Sequence, residues 1–452
     1  MRPANGILAT NVAAVKFDFT TPASENGYCG YTEILLSGMP SPQPVKWAVG
    51  NGNWDTSTPN WKSLITAGAT SFLENHLTAL DDSATGTSPV VLTLTANHAP
   101  SILTNNSTKN YVLAGGFSIT NGSLIKNGSS TLTLDNGAAN NFSGIQINAG
   151  TVQVGNNDAN GSLGAGGVTN NAALTFNRTD TLNVANLISG SGSVAQNGNG
   201  SVVFSAVNTY SGNTTVSAGT LALSGSGAIT ASAQISVASG ATLDAGGRSD
   251  QTLTLNSGKT LKGGGNVQGK LEALANSMIN PGDAIGTLNV QSNITLSGLL
   301  LMELNRTNVQ NADRLASAAG IITAAGTLTV TNLGPALLAG DTFQLFDQPV
   351  SGFTVVNLPD VLPNAWLNQL SNNGTIRVVA TASTNLMTQM SGGNVILSWP
   401  GDHTGWRLQV QTNDLSVGLG TNWWDVTGSA ATNQMSFPIN PATGGVFYRL
   451  LY

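Results

Sequence analysis

The stretch K-N-G-S-S-T-L-T-L (Lys126 to Leu134), followed by N-F-S-G (Asn141 to Gly144) and I-Q-I-N-A-G-T-V-Q-V (Ile145 to Val154), decides the fold, because the chain writes it twice. The second copy reads Q-N-G-N-G-S-V-V-F (Gln196 to Phe204), T-Y-S-G (Thr209 to Gly212) and N-T-T-V-S-A-G-T-L-A-L (Asn213 to Leu223). Pieces such as T-L-T-L and T-V-Q-V alternate apolar and polar residues over about four to six positions, the period of a half-buried strand. Between them stand N-G, D-N-G and S-G, where Gly and Asn tolerate positive φ. One such strand cannot bury its apolar face, whereas stacked copies can. No stretch carries sustained helical periodicity. A parallel β-solenoid is therefore expected, with a chain of antiparallel sandwiches as the competing architecture.

The pattern Y-S-G-x-T-x-V-x-A-G-T-L resembles the autotransporter-associated β-strand repeat. Tyr210 to Leu221 fit it directly, and Phe142 to Val152 fit with Phe for Tyr and one residue fewer. The run W-A-V-G-N-G-N-W-D-T-S-T-P-N-W (Trp47 to Trp61) is similar to that family's lead-in. N-P-G-D-A-I-G-T-L-N-V (Asn280 to Val290) and the stretch from Ala325 to Phe346 are similar to its exit. The resemblance spans roughly residues 45 to 380. It implies an all-β, right-handed parallel β-helix of passenger type on a bacterial surface, and it says little about activity.

Composition agrees. Only 8% of the 452 residues are charged, against about a quarter in an ordinary globular chain. Yet 40% are apolar, so this is not a disordered tail. Surface polarity must come from Asn, Ser and Thr. Net charge is −6 without a basic stripe, which argues against nucleic acid as a partner. No apolar run approaches the roughly 18 residues of a membrane helix, so no membrane span is expected. No secretory signal stands at the start of the sequence. Val15 to Thr20 and Glu25 to Gly38 are similar to the closing strands of a discoidin-like jelly roll. Residues 1–40 are thus expected to be the remnant of a truncated domain. The single cysteine, Cys29, has no internal disulfide partner.

Residues 41–380 are expected to form the solenoid with its end caps. Trp47, Trp54 and Trp61 recur every seven residues. They can form an aromatic platform for glycan, or a plug over the solenoid's open end, where strand edges and apolar interior would otherwise meet water. The plug is the expectation, with Trp366 helping to close the other end. General acid–base chemistry needs His or paired carboxylates, and a sugar hydrolase needs two carboxylates at a set separation. Between His98 and His403 there is no histidine, and between Glu74 and Glu272 no glutamate. The local cluster D-A-G-G-R-S-D (Asp244 to Asp250) could serve a lyase, together with Asp180, but it reads better as a turn held by side-chain-to-backbone bonds and a surface Asp–Arg pair. Leu261 to Gly269 lacks the Gly-Lys-Ser/Thr ending of a phosphate loop. Gly155 to Gly167 lacks the nine-residue period of calcium-binding repeats. No catalytic residue, cofactor or metal is expected.

Residues 381–390 read as a linker. Residues 391–452 read as a small C-terminal β-sandwich that resembles a fibronectin-III-like module, with five strands beginning near Asn394, Gly405, Asn422, Gln434 and Val446. Trp406 is expected inside it. Trp423 and Trp424 are adjacent and must face opposite ways in a strand, so one is expected in the core and the other is the candidate ligand contact. The functional expectation is a non-catalytic, secreted or cell-surface solenoid for adhesion or matrix contact, with polysaccharide or cell-surface components as partners. The alternatives are a polysaccharide lyase or hydrolase on a β-helix and a carbohydrate-binding module protein.

Overall fold

The computed structural model describes residues 42–414, 416–440 and 444–452. The expectations for residues 1–40, including Cys29, lie outside them. The fold is a parallel β-solenoid of about 11 turns, followed by small antiparallel sheets that fit a β-sandwich. Two compact units divide the chain after Ala173.

In the first unit, strand Thr131–Leu134 lies between Tyr111–Ala114 and Thr151–Asp158, parallel to both. Its apolar residues stack in columns: Leu132 beside Val152, and Leu134 between Leu113 and Val154. All five are buried. A second parallel sheet carries Gly144–Ile147 between Ser123–Lys126 and Gly167–Asn170. Alternation along each strand sends one row of side chains inward, and the coils stack those rows into one core.

The second copy repeats this register in the second unit. Thr131 pairs with Thr151 in the first copy, and Ser201 with Thr220 in the second. The anchor glycines Gly150 and Gly219 both have positive φ, 66° and 57°. A Cβ on Gly150 would stand 2.4 Å from the carbonyl oxygens of Gly128 and Ser130, and one on Gly219 2.3 Å from that of Gly200. The A-G-T anchor is thus fixed by a left-handed turn pressed against the coil before it. Under the same turn sits a buried polar side chain, Lys126 in the first copy and Gln196 in the second. The Lys126 ammonium donates to the carbonyls of Gly128 and Ala149, and the Gln196 amide to those of Gly198 and Gly200. Each position supplies donors to turn carbonyls that stacking has cut off from water.

The aromatic position obeys the same logic. Phe142 and Tyr210 are both buried. The Tyr210 hydroxyl lies 2.7 Å from Thr214 Oγ1, where the first copy has the apolar pair Phe142 and Ile145. A buried hydroxyl needs a partner, so the Tyr copy carries Thr and the Phe copy Ile.

The N-terminal end is plugged. Strand Pro44–Trp47 is parallel to Leu77–Asp81 but antiparallel to Trp61–Ser63, which is antiparallel to Ala69–Thr70. The direction change ends the parallel stack. Trp47, Trp54 and Trp61 are all fully buried, so none offers a face to a ligand and the platform reading fails. Trp61 meets Trp47 and Trp54 edge-on at 5.2 and 4.9 Å, and Trp54 stacks on His98 at 5.7 Å.

In the second unit the coils build three parallel sheets, with strands such as Thr260–Gly263, Thr242–Arg248 and Thr252–Leu255 on successive faces. At the C-terminal end the antiparallel strands Thr342–Gln344, Thr375–Val379 and Ala365–Gln369 form a separate sheet. Trp366, half-buried there, donates from Nε1 to Pro359 O at 2.7 Å.

Two three-stranded antiparallel sheets follow, Met387–Ser391, Asn394–Ser398 and Gln434–Pro438 in one, Trp424–Asp425, Arg407–Asn413 and Gly445–Leu451 in the other. Leu397, Trp399 and Leu408 centre the core between them. One expectation needs correcting. Residues 381–390 are not only connection, since Met387–Ser391 is a strand in register with Asn394–Ser398; its side chains are all exposed, which is why its polarity reads as a linker. Trp406 is buried, its Nε1 donates to Ala380 O at 2.9 Å and its ring lies beside His403. Trp406 is thus inside, as expected, with Tyr452 on it as well, and Trp399 is the tryptophan of the central cluster.

Candidate functional site

Strand Arg407–Asn413 alternates R-L-Q-V-Q-T-N, and the two sets of side chains part to opposite faces. Leu408 faces the core. Arg407, Gln409, Gln411 and Asn413 face outward, and each reaches across to the segment 418–425. Asn413 Nδ2 donates to Gly418 O at 2.6 Å. Gln411 accepts from Gly420 N at 2.8 Å and donates to Asn422 Oδ1 at 2.7 Å. Gln409 Nε2 donates to Asp425 Oδ1 at 2.8 Å, and Arg407 Nη1 donates to Asp425 Oδ2 at 2.7 Å. These bonds hold the Asp425 carboxyl below the usual carboxylate range, the Gln409 amide first and the Arg407 guanidinium after it.

From the neighbouring strand, Arg449 stands opposite Gln409. Its Nε donates to Gln409 Oε1 at 2.8 Å, and its guanidinium carbon lies 4.3 Å from the centre of the Trp423 ring. Gln411 is fully buried and Gln409 nearly so, so the tethers lie beneath the groups they position. What reaches solvent is Arg407, Asp425 and Arg449, with Trp423 half-buried under the Arg449 guanidinium.

Trp424 pairs with Val410 and so points to the core side of the sheet, yet it is 70% exposed. Neither tryptophan is in the core, contrary to the expectation that one would be. The edge strand Trp424–Asp425 is only two residues long, and the Leu397–Trp399–Leu408 core draws its aromatic packing from Phe437 and Tyr448 instead. The sequence reading missed Arg407, Gln409 and Arg449. The run of polar residues at every second position from Arg407 to Asn413 was the available signal.

The acids considered for a lyase do not converge. Arg178 grips Asp180 with two bonds, 2.9 and 2.8 Å. Arg248 grips Asp250 likewise, both at 3.0 Å. Asp244 accepts from Gly246 N at 2.7 Å. Strand Thr181–Val184 is separated from Thr242–Arg248 by Ser201–Phe204 and Thr220–Gly225, so Asp180 and Asp244 are three rungs apart, roughly 14 Å at strand spacing. The crevice beside Arg248, lined by Leu223, Ile229 and Leu253, has about 10 Å³ of room, the space of one water molecule.

Two carboxyls elsewhere are shifted upward. Just after strand Thr131–Leu134, burial and then the Asp158 carboxylate push Asp135 up to about 6. Asp158 itself accepts from Asn160 N at 3.0 Å. Burial pushes Asp313 up to about 7, although its two oxygens accept from Gly286 N and Glu303 N, each at 2.8 Å. Asp313 thereby ties the N-P-G-D-A-I-G turn to the strand Leu299–Leu304. Among the described residues no three His, Cys, Asp or Glu side chains stand together as metal ligands. The Leu261–Gly269 glycines join strands Thr260–Gly263 and Asn266–Gln268 of successive faces.

Stacked parallel coils, a plugged N-terminal end and a repeated anchor turn define a β-solenoid repeat protein. Residues 124–154 and 194–223 match the family model of the passenger-associated-transport-repeat, so the solenoid carries two repeats of the autotransporter-passenger β-helix type. No curated protein matches the chain. The passenger repeat implies an extracellular or surface location. Among the described residues no helix is long and apolar enough to cross a membrane.

Proposed function

We propose that the chain is a non-catalytic surface scaffold whose solenoid makes adhesive or matrix contacts and whose C-terminal sheets contribute a ligand contact. The observation that carries this reading is the state of the acids along the coils. Asp180, Asp244 and Asp250 are each engaged within their own turn, and Asp180 stands three rungs from Asp244. General acid–base work on a glycosidic bond needs two carboxyls at a closer, set separation. Many outward strand positions, such as Thr131, Thr151, Gln153, Ser201 and Thr220, are instead neutral and polar, which suits weak hydrogen bonds to a hydroxyl-rich surface.

The test is a single preparation given two assays. The full chain is incubated with a panel of neutral and acidic polysaccharides, scored for retention on the immobilised polymer and for new chain ends in solution. Retention without new ends is the expected result. Chain cleavage that Asp244→Asn abolishes would replace the scaffold with a lyase.

A further inference from the structure

The outward face of the sheet formed by Trp424–Asp425, Arg407–Asn413 and Gly445–Leu451 carries an ordered array of planar polar groups. We propose that this face binds a carboxylated polysaccharide, with the Arg449 guanidinium, stacked on Trp423 and pinned by Gln409, as the carboxylate-gripping group. The proposal rests on the adhesive reading and names its ligand class.

Three observations carry it. The first is preorganisation. Among the described residues Arg449 makes one hydrogen bond, from Nε to Gln409, and its guanidinium carbon lies over the Trp423 ring, 4.3 Å from its centre. Among the described residues its two Nη groups take no hydrogen-bond partner, which leaves them as the fork that takes a carboxylate in two parallel bonds. An exposed arginine ordinarily loses much rotamer freedom on binding. Here the ring beneath and the amide beside it have already taken that freedom away.

The second is the second cation. Arg407 and Arg449 are diagonal neighbours across the strand pair, about 7–8 Å apart and within reach of long side chains. Arg407 uses Nη1 on Asp425, and its side chain is 48% exposed. Two guanidiniums on a flat face suit a polymer that carries a carboxylate on successive sugars.

The third is charge. Arg407, Asp425 and Arg449 sum to one positive charge on a chain whose net charge is −6. A dense polyphosphate would meet the negative field of the whole chain. A polyuronate, with one charge per sugar, meets the same field more weakly, and its hydroxyls can bond the polar groups of the face. The exposed Asp425 carboxylate, each oxygen of which accepts one bond from the chain, keeps further lone pairs to accept bonds from those hydroxyls.

The test uses the full chain and four probes: polygalacturonate, its methyl-esterified form, a neutral galactan, and vesicles containing an anionic phospholipid. Affinity is read by calorimetry or by retardation in a gel containing the polymer. Polygalacturonate is expected to bind, and esterification to weaken binding about tenfold or more, the weight of a lost charge-assisted pair. Arg449→Gln and Trp423→Ala should each weaken it comparably. Arg449→Lys should fail to restore it, because an ammonium keeps the charge and loses the fork. Lys270→Gln, which removes one exposed cation from the solenoid, should leave it unchanged. Arg407→Gln is a second variant, read in parallel should Arg449→Gln lose the native tryptophan fluorescence. The proposal is overturned if Arg449→Gln or Arg407→Gln binds like the parent while folded, if the ester or the vesicles bind as well as polygalacturonate, or if polygalacturonate does not bind. Retention on neutral galactan with no response to Arg449→Gln would overturn this proposal alone. Failure to bind any polysaccharide would overturn the adhesive reading with it.

Discussion

The pairing of Tyr210 with Thr214 makes a prediction about why the two copies differ. Tyr210, Thr214 and Ser232 form a chain of hydroxyls. Thr214 Oγ1 donates to Ser232 Oγ at 3.0 Å, and Ser232 Oγ donates to Gly212 O at 2.8 Å. Each hydroxyl has one proton, so Tyr210 must donate to Thr214. Tyr210→Phe removes the first donor and leaves the other two bonds, at a cost of about 1 kcal/mol. Thr214→Val leaves a buried phenol with no acceptor and takes the donor from Ser232, at about 2–3 kcal/mol. The double variant recreates the apolar pairing that Phe142 and Ile145 show in the first copy. Its cost should fall short of the sum of the singles by about 1–2 kcal/mol. Because a long solenoid does not unfold as one unit, the readout is amide exchange of Ser201–Phe204 and Thr220–Gly225, measured for all four variants. Additivity within roughly 0.5 kcal/mol would refute the reasoning, for the hydroxyl pair would then be uncoupled and the Tyr/Thr against Phe/Ile difference would need another cause.

Trp54→Ala removes the centre of the N-terminal plug and should cost about 3–5 kcal/mol; exchange should rise in Val90–Leu94 and Tyr111–Ala114 before Thr327–Asn332, with oligomers appearing in gel filtration. Burial lowers Lys126 to about 8, so the unfolded chain holds more protons than the folded one between about pH 8 and the ordinary lysine value near 10.4; stability of the first unit should therefore rise with pH across that window. Lys126→Gln, which copies Gln196, should remove the slope and stabilise the unit at pH 7 by up to about 3 kcal/mol, as followed by urea unfolding at several pH values. Trp399→Ala should unfold the C-terminal sheets at a cost of about 3–5 kcal/mol while exchange in Thr260–Gly263 stays slow, whereas Trp406→Ala should chiefly free the segment around Ala380.

The two copies of the repeat, with their strand-length alternation and A-G-T anchors, determine a parallel solenoid without reference to any coordinate. Period-two burial and a glycine forced into positive φ are local properties, and local properties are written in adjacent residues. The plug was legible only as one of two options. A tryptophan buries as readily against a sugar as against its own chain, and only the antiparallel turn at Trp61–Ser63 removes all three indoles from solvent. Lys126 reads as a surface residue in the sequence, since lysine is rarely fully buried; stacking of the next coil's turn over it makes it an interior donor. The C-terminal face depended most on tertiary structure. Alternation told that Trp423 and Trp424 part to opposite sides, but not that both would miss the core, because a two-residue edge strand is placed by its partner strand. The meeting of Gln409 with Arg449, 40 residues away, is set by strand register, and register is the sum of many side-chain contacts that no short stretch contains.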